Sequence, residues 1–151
     1  MPEPIAHNET TVPAMAASLE ALHGALAELW AALESDGHPL APDWRMPFEI
    51  AVAEVGANIV EHAHAGDTRP GSMALELLAF ADRVEALFTD DGQALRGELE
   101  RRELPPPEAL AESGYGLALA EMVLDELSYA RTDDLNHWRL VKRIEAGSAA
   151  I

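Results

Sequence analysis

Glu54 and Asn58 stand four residues apart in the segment Ala53-Glu54-Val55-Gly56-Ala57-Asn58, the spacing that puts two side chains on one face of a helix. A carboxylate there can act as a general base. A carboxamide oxygen suits a hard cation such as Mg²⁺, which takes few protein ligands beside phosphates and water. Taken alone, the pair reads more simply as a solvated polar face. Glu61 and His62 extend that face and, with His64, invite a zinc site; without a third ligand in place, such a helix-end cluster is ordinarily exposed surface. The next group is Phe88-Thr89-Asp90-Asp91-Gly92. An Asp where a strand opens into a Gly turn can offer its carboxylate to a ligand amine, although a plain turn asks for the same residues. The third is Ser113-Gly114-Tyr115-Gly116 ahead of Leu117, a glycine-flanked helix start whose free N–H groups attract phosphate. It lacks the Lys-Ser/Thr of a P-loop and the third glycine of a dinucleotide fingerprint.

The elements that must hold these groups follow from apolar periodicity. Met15, Leu19, Leu22, Leu26, Leu29 and Leu33 recur at steps of three and four, which predicts an amphipathic helix over 14–34. Ser35-Asp36-Gly37 ends it, and Pro39 and Pro42 are expected to keep the connection extended. Phe48, Val52, Val55 and Ile59 then predict a second helix from about Pro47 to about His64, with Pro47 in the first turn. A short strand is expected around Ile5 to Val12. Met73, Leu75 and Leu77 alternate as a strand, Ala81-Asp82-Arg83 turns the chain, and Val84 to Thr89 pairs back. Residues 93–113 hold Pro105-Pro106-Pro107 and mixed charges; a connection of that length in a small domain reads as a functional lid. A third helix follows Gly116, and two strands close the chain at about 127–131 and 137–144, with Trp138, Leu140 and Ile144 on one side of the last. Helices set apart from mostly antiparallel strands make an α+β fold, a two-layer α/β sandwich with helices on one face of the sheet. No repeat or second core divides the chain, so residues 1–151 are read as one domain.

Composition narrows the chemistry. The chain has 151 residues, 27 acidic against 10 basic, for a formal charge of −17. Such a polyanion is repelled by nucleic-acid backbones and anionic lipid, and Arg101-Arg102 and Lys142-Arg143 are isolated pairs. Direct nucleic-acid binding and membrane association are therefore not expected, and a basic protein partner is the better match. A bound nucleotide would have to be held by backbone N–H groups and a divalent cation. There are no cysteines, which removes thiolate metal sites and Cys nucleophiles. No run approaches the roughly 18 apolar residues of a membrane span. The opening Met1-Pro2-Glu3-Pro4 is unlike a signal peptide, so a cytoplasmic location is expected.

In order, the chain gives a Glu-x-x-x-Asn helix, a hairpin ending in Asp-x-Gly, a long connection and a GxG helix start. This arrangement resembles the GHKL, or Bergerat, ATP-binding fold over about residues 14 to 144, and within it the anti-sigma serine/threonine kinase branch. The resemblance implies that Glu54 is the general base and Asn58 the Mg²⁺ ligand, and His62-Ala63 matches the branch's usual ending of that box. It implies that Asp90 binds the adenine amine, that Gly92 shapes the turn, and that Gly114, Tyr115, Gly116 and Leu117 lie on the phosphates beneath a mobile lid at 93–113. Asn136-His137-Trp138-Arg139-Leu140-Val141-Lys142 is similar to the closing strand of the branch. Two positions depart from it: Ala94 stands where the Asp box usually has a second glycine, and His64 where a tyrosine often follows.

The implied activity is ATP-dependent protein serine kinase and anti-sigma factor of a partner-switching module. The implied ligands are ATP or ADP and Mg²⁺, and the implied partners are a sigma factor or other regulator, a STAS-type anti-anti-sigma protein that is phosphorylated, and a second copy of the chain. On length, the expectation is this small branch, because 151 residues do not hold the dimerisation helix of a histidine kinase or the added domains of the large ATPases. A second reading is a non-catalytic module of the same fold that sequesters a regulator by contact alone. A third is an unrelated acidic α+β interaction domain.

Overall fold

A computed structural model describes residues 2–62, 71–93, 116–145 and 148. The elements are β1 (Ala6–Pro13), a 3₁₀ turn (Ala16–Ser18), α1 (Leu19–Ser35), α2 (Pro42–His62), β2 (Ser72–Ala79), β3 (Arg83–Asp90), α3 (Gly116–Val123), β4 (Glu126–Thr132) and β5 (Leu135–Arg143). The five strands form one sheet in the order β1-β2-β3-β5-β4, and every neighbouring pair is antiparallel. Because side chains alternate along a strand, Met73, Leu75, Leu77 and Ala79 of β2, Val84, Ala86 and Phe88 of β3, and Trp138 and Leu140 of β5 form one buried face. They pack with Leu22, Leu26, Leu29 and Leu33 of α1 and Phe48, Val52, Val55 and Ile59 of α2 in a single core. Each fully buried aliphatic side chain of this kind contributes about 1.5–3 kcal/mol. The expected α+β architecture and the β2–β3 hairpin are both present.

Three boundaries differ from the sequence reading. The first helix starts at Leu19, after a 3₁₀ turn, because the sheet takes the chain before it: the Ala14 N–H donates to the Gly71 carbonyl at 2.8 Å, which continues the β1–β2 ladder past Pro13. Met15 is left 40% exposed, so the apolar stripe buries its side chains only from the helix proper onward. The second helix starts at Pro42, not Pro47. Pro42 takes the first position, where the missing N–H costs nothing, while Pro47 lies within the helix and deprives the Asp43 carbonyl of its partner; Asp43 is exposed, which lets water take that place. What draws the helix back to Pro42 is Trp44. Its ring stacks on Phe48 at 5.7 Å and meets Trp30 edge-on at 6.1 Å, and its indole N–H donates to the Arg143 carbonyl at 2.7 Å. The last two strands begin a residue or two earlier than expected and are joined by Asp133-Asp134, both with positive φ (54° and 63°), the two-residue turn that suits the twist of a hairpin. His64, the Gly66–Gly71 break up to residue 70, and the lid from residue 94 to 113 lie outside the described residues.

The other sheet face is more polar. There Glu85 is buried between Arg83 (Nε–Oε2 2.6 Å) and Arg139 (Nε–Oε1 3.1 Å), and Arg139 reaches Glu126 at 2.7 Å. The hydrogen bond that Arg83 donates to Glu85 holds its guanidinium above its ordinary pKa. Burial works against Arg139, but its bonds to Glu126 and Glu85 leave it raised as well.

Candidate functional site

Asp90 ends β3 directly opposite Asn136 at the start of β5, and register turns both toward the helices. Asp90 is 4% exposed and Asn136 3%, a depth at which polar groups are ordinarily hydrogen-bonded. Asp90 Oδ1 accepts the Gly92 N–H at 2.9 Å and Asn136 Nδ2–H at 2.9 Å. Its Oδ2 accepts the Trp138 indole N–H at 3.2 Å. Asn136 Nδ2 also lies 2.8 Å from the Gln93 carbonyl and 3.4 Å from that of Gly92. On its other side Asn136 Oδ1 accepts the Tyr129 hydroxyl and, at 2.9 Å, Arg131 Nη1. The neighbouring Asp91 does something different: its Oδ1 accepts the Ser72 N–H at 2.8 Å and lies where a Cβ on Gly71 would come within 2.3 Å, so Asp91 fastens the end of β3 to the start of β2.

Above this pair runs the C-terminal half of α2. Asn58, Ile59 and His62 line a small cavity with Asp90, Gln93, Asn136 and Trp138. Asn58 is buried rather than solvated, and its carboxamide makes no hydrogen bond among the described residues. An oxygen donor in that condition beside a binding cavity fits a hard divalent cation. Glu61 and His62 are exposed, His62 at the rim of the cavity that Asn58 also lines, and no zinc cluster forms there among the described residues. The one group of potential metal ligands found among them is His7, Glu9 and Glu76, on the open side of the sheet.

Glu54, one turn before Asn58, is half-buried. Its Oε2 would lie 2.1 Å from a Cβ placed on Gly116, so the first residue of α3 approaches the carboxylate as only a glycine can. The structure thus brings Glu54 together with Gly116, and Asn58 together with Asp90. Leu117 is a core side chain, 4% exposed; what it offers a ligand is the backbone N–H of a helix's first turn. Gly92 closes the Asp90 turn. Gly114 and Tyr115 lie outside the described residues.

The larger concavity, about 590 Å³, is on the open face of the sheet, lined by Glu9, Thr11, Glu76, Thr89, His137 and Arg139 among others. None of the candidate residues lines it. Asn136 and Trp138 were not among the sequence candidates. The signal was present in parity: Asn136 shares its strand face with Trp138 and Leu140, and a polar side chain on an apolar face needs buried partners.

Residues 15–142 match the family model described as "Histidine kinase-like ATPase domain". Among curated relatives, the chain is 35% identical over 85 residues to the serine-protein kinase RsbW of Bacillus licheniformis, covering 52% of this chain and 53% of that protein. It is 32% identical over 85 residues to the same-named protein of Bacillus subtilis, covering 52% of each. These matches span about half the length of the curated relatives. Among solved structures, that of the RsbU and RsbW domains of a Mycobacterium tuberculosis protein superposes with a TM-score of 0.62 at 22% identity, over 91% of this chain and 32% of that one, a likeness of fold. Among the described residues no helix is long and apolar enough to cross a membrane. With a family model running from the 3₁₀ turn's threshold to the end of β5, and with the Asp90 and Glu54 constellations lying inside it, the chain belongs to the histidine kinase-like ATPase domain family.

Proposed function

We propose that the protein is an ATP-dependent protein serine kinase and anti-sigma factor of a partner-switching module. It binds a sigma factor, phosphorylates a STAS-type anti-anti-sigma protein, and acts as a cytoplasmic homodimer. The observation that carries this reading is the buried Asp90 carboxylate, held by three donors at a cavity that it shares with the buried carboxamide of Asn58. A negative acceptor fixed in that way suits the exocyclic amine of adenine. The relatives named serine-protein kinase support the reaction class, and the charge of −17 suits capture of a basic segment of a regulator.

The nucleotide's phosphates would lie toward Asn58 and the start of α3, where Gly116 and Leu117 offer backbone N–H groups; the family resemblance assigns Gly114 and Tyr115 to the same phosphates. Asn58 would hold Mg²⁺, which would supply neutralisation of the phosphate charge. Glu54 accepts the proton of the partner's serine hydroxyl. The serine oxygen bonds to the γ-phosphorus as the bond from phosphorus to the β–γ bridging oxygen breaks, leaving ADP and a phosphoserine.

The test is calorimetric titration with ADP and ATP, with and without Mg²⁺, on wild type, Asp90→Asn and Glu54→Ala, followed by phosphate transfer to the partner. Binding is expected to need Asp90 and to strengthen with Mg²⁺, while Glu54→Ala binds nucleotide and transfers nothing. Transfer by Glu54→Ala at the wild-type rate refutes the base. Absence of nucleotide binding by folded wild type would favour the sequestering module and make Ala94→Gly the first variant to test.

A further inference from the structure

The sequence pattern gives Asp90 a role but gives none to the residue opposite it. We infer that Asn136 is the positioning residue of the base-recognition site: it fixes which oxygen of Asp90 faces a bound purine, and so sets the preference for a 6-amino over a 6-oxo base. The inference rests on the nucleotide reading above and adds a residue to it.

The argument begins with the polarity around one carboxamide. On the Nδ2 side of Asn136 stand three acceptors: Asp90 Oδ1 at 2.9 Å, the Gln93 carbonyl at 2.8 Å and the Gly92 carbonyl at 3.4 Å. On the Oδ1 side stand two donors, the Tyr129 hydroxyl and Arg131 Nη1. Turning the amide over would set its oxygen against a carboxylate and two carbonyls, and its N–H₂ against donors. The orientation is therefore dictated by chemistry, and Asn136 has no second way to sit. Arg131 Nη1 also donates to the Gly92 carbonyl at 3.1 Å, which closes a ring of bonds around the turn after β3.

The consequence falls on Asp90. A carboxylate oxygen has about two lone-pair directions, and Oδ1 spends both, on Gly92 and on Asn136. Oδ2 spends one on Trp138. The remaining acceptor direction belongs to Oδ2 and fits a single N–H donor. A 6-amino purine supplies that donor, whereas a 6-oxo purine presents a carbonyl oxygen to a negative charge in a buried place. Without Asn136, Oδ1 loses a partner and the carboxylate is free to turn and share its lone pairs differently.

The test is titration of the full chain with ADP and with inosine diphosphate by calorimetry, in wild type, Asp90→Asn and Asn136→Ala. Wild type is expected to prefer ADP, and Asn136→Ala to reduce the ADP-to-IDP affinity ratio at least tenfold with IDP affinity nearly unchanged. A merely structural role would weaken both ligands alike and leave the ratio intact, and that result overturns the inference. Should Asn136→Ala fail to fold by circular dichroism, Tyr129→Phe carries the test. It removes one hydroxyl from the Oδ1 side and keeps the ring that meets Trp138 at 4.9 Å. The ratio is then expected to fall about threefold through the loss of one neutral hydrogen bond, and an unchanged ratio overturns the inference. A wild-type preference abolished in Asp90→Asn but kept in Asn136→Ala overturns this inference alone; no preference in wild type overturns the adenine site itself and this inference with it.

Discussion

Replacing Gly116 with alanine separates catalysis from stability at one atom. A Cβ at that position would lie 2.1 Å from Glu54 Oε2 and 3.2 Å from Glu54 Cδ, so the carboxylate must retreat by about an ångström to reach ordinary contact. Gly116 does not have a positive φ, and alanine is acceptable to the helix. The folded state gains about 0.4–1 kcal/mol from the reduced freedom of the unfolded chain. Forcing Glu54 off its preferred rotamer costs about 0.5–1.5 kcal/mol. Net stability should therefore move by less than about 1 kcal/mol. Phosphotransfer should not be spared, because a displacement of that size in a positioned group costs on the order of 100-fold, or about 2.7 kcal/mol of barrier. The assay is single-turnover transfer to the proposed anti-anti-sigma partner at saturating ATP, with urea denaturation in parallel. In a Glu54→Ala background there is no carboxylate to displace, so the substitution should there show its full stabilising increment, and the cycle measures the contact directly. Transfer within about twofold of wild type by a folded Gly116→Ala protein would show that catalysis does not use Glu54 where it meets α3.

Two further outcomes are expected. Asp91→Ala removes the acceptor of the Ser72 N–H and should lower stability by about 1 kcal/mol in urea while ADP affinity stays within about threefold, since the bonds to Asp90 are untouched; a loss equal to that of Asp90→Asn would contradict the separation of the two aspartates. Asp134→Gly relieves a positive φ of 63° in the β4–β5 turn and should raise the melting temperature by about 2–4 °C, a shift that differential scanning calorimetry resolves.

What the sequence made legible was what repeats. The leucines of α1 and the alternation of Met73, Leu75 and Leu77 are written locally and carry no ambiguity of period. The Glu54–Asn58 spacing and the Asp90 turn were visible for the same reason. The missed features depend on partners distant in the chain. Pro47 looked like a helix start because nothing near it shows that Trp44 is needed between α1 and the end of β5. Ala14 looked helical because its competitor, the Gly71 carbonyl, is remote in sequence. Asn136 looked like one more polar residue in a strand until the β3–β5 register set it opposite Asp90.

That register has a kinetic corollary. The β2–β3 and β4–β5 pairs are hairpins whose strands close over short turns, and structures of that kind form within microseconds. The Asp90–Asn136 contact joins residues 46 apart and must wait for two preformed hairpins to meet edge to edge, the sort of long-range closure that limits folding rates. Neither hairpin alone contains the proposed purine site, because Asp90 comes from one and Asn136 and Trp138 from the other. If the proposed site binds a purine, its affinity arrives with the last large step of folding, and a purine nucleotide added during refolding should trap the finished sheet without accelerating its assembly.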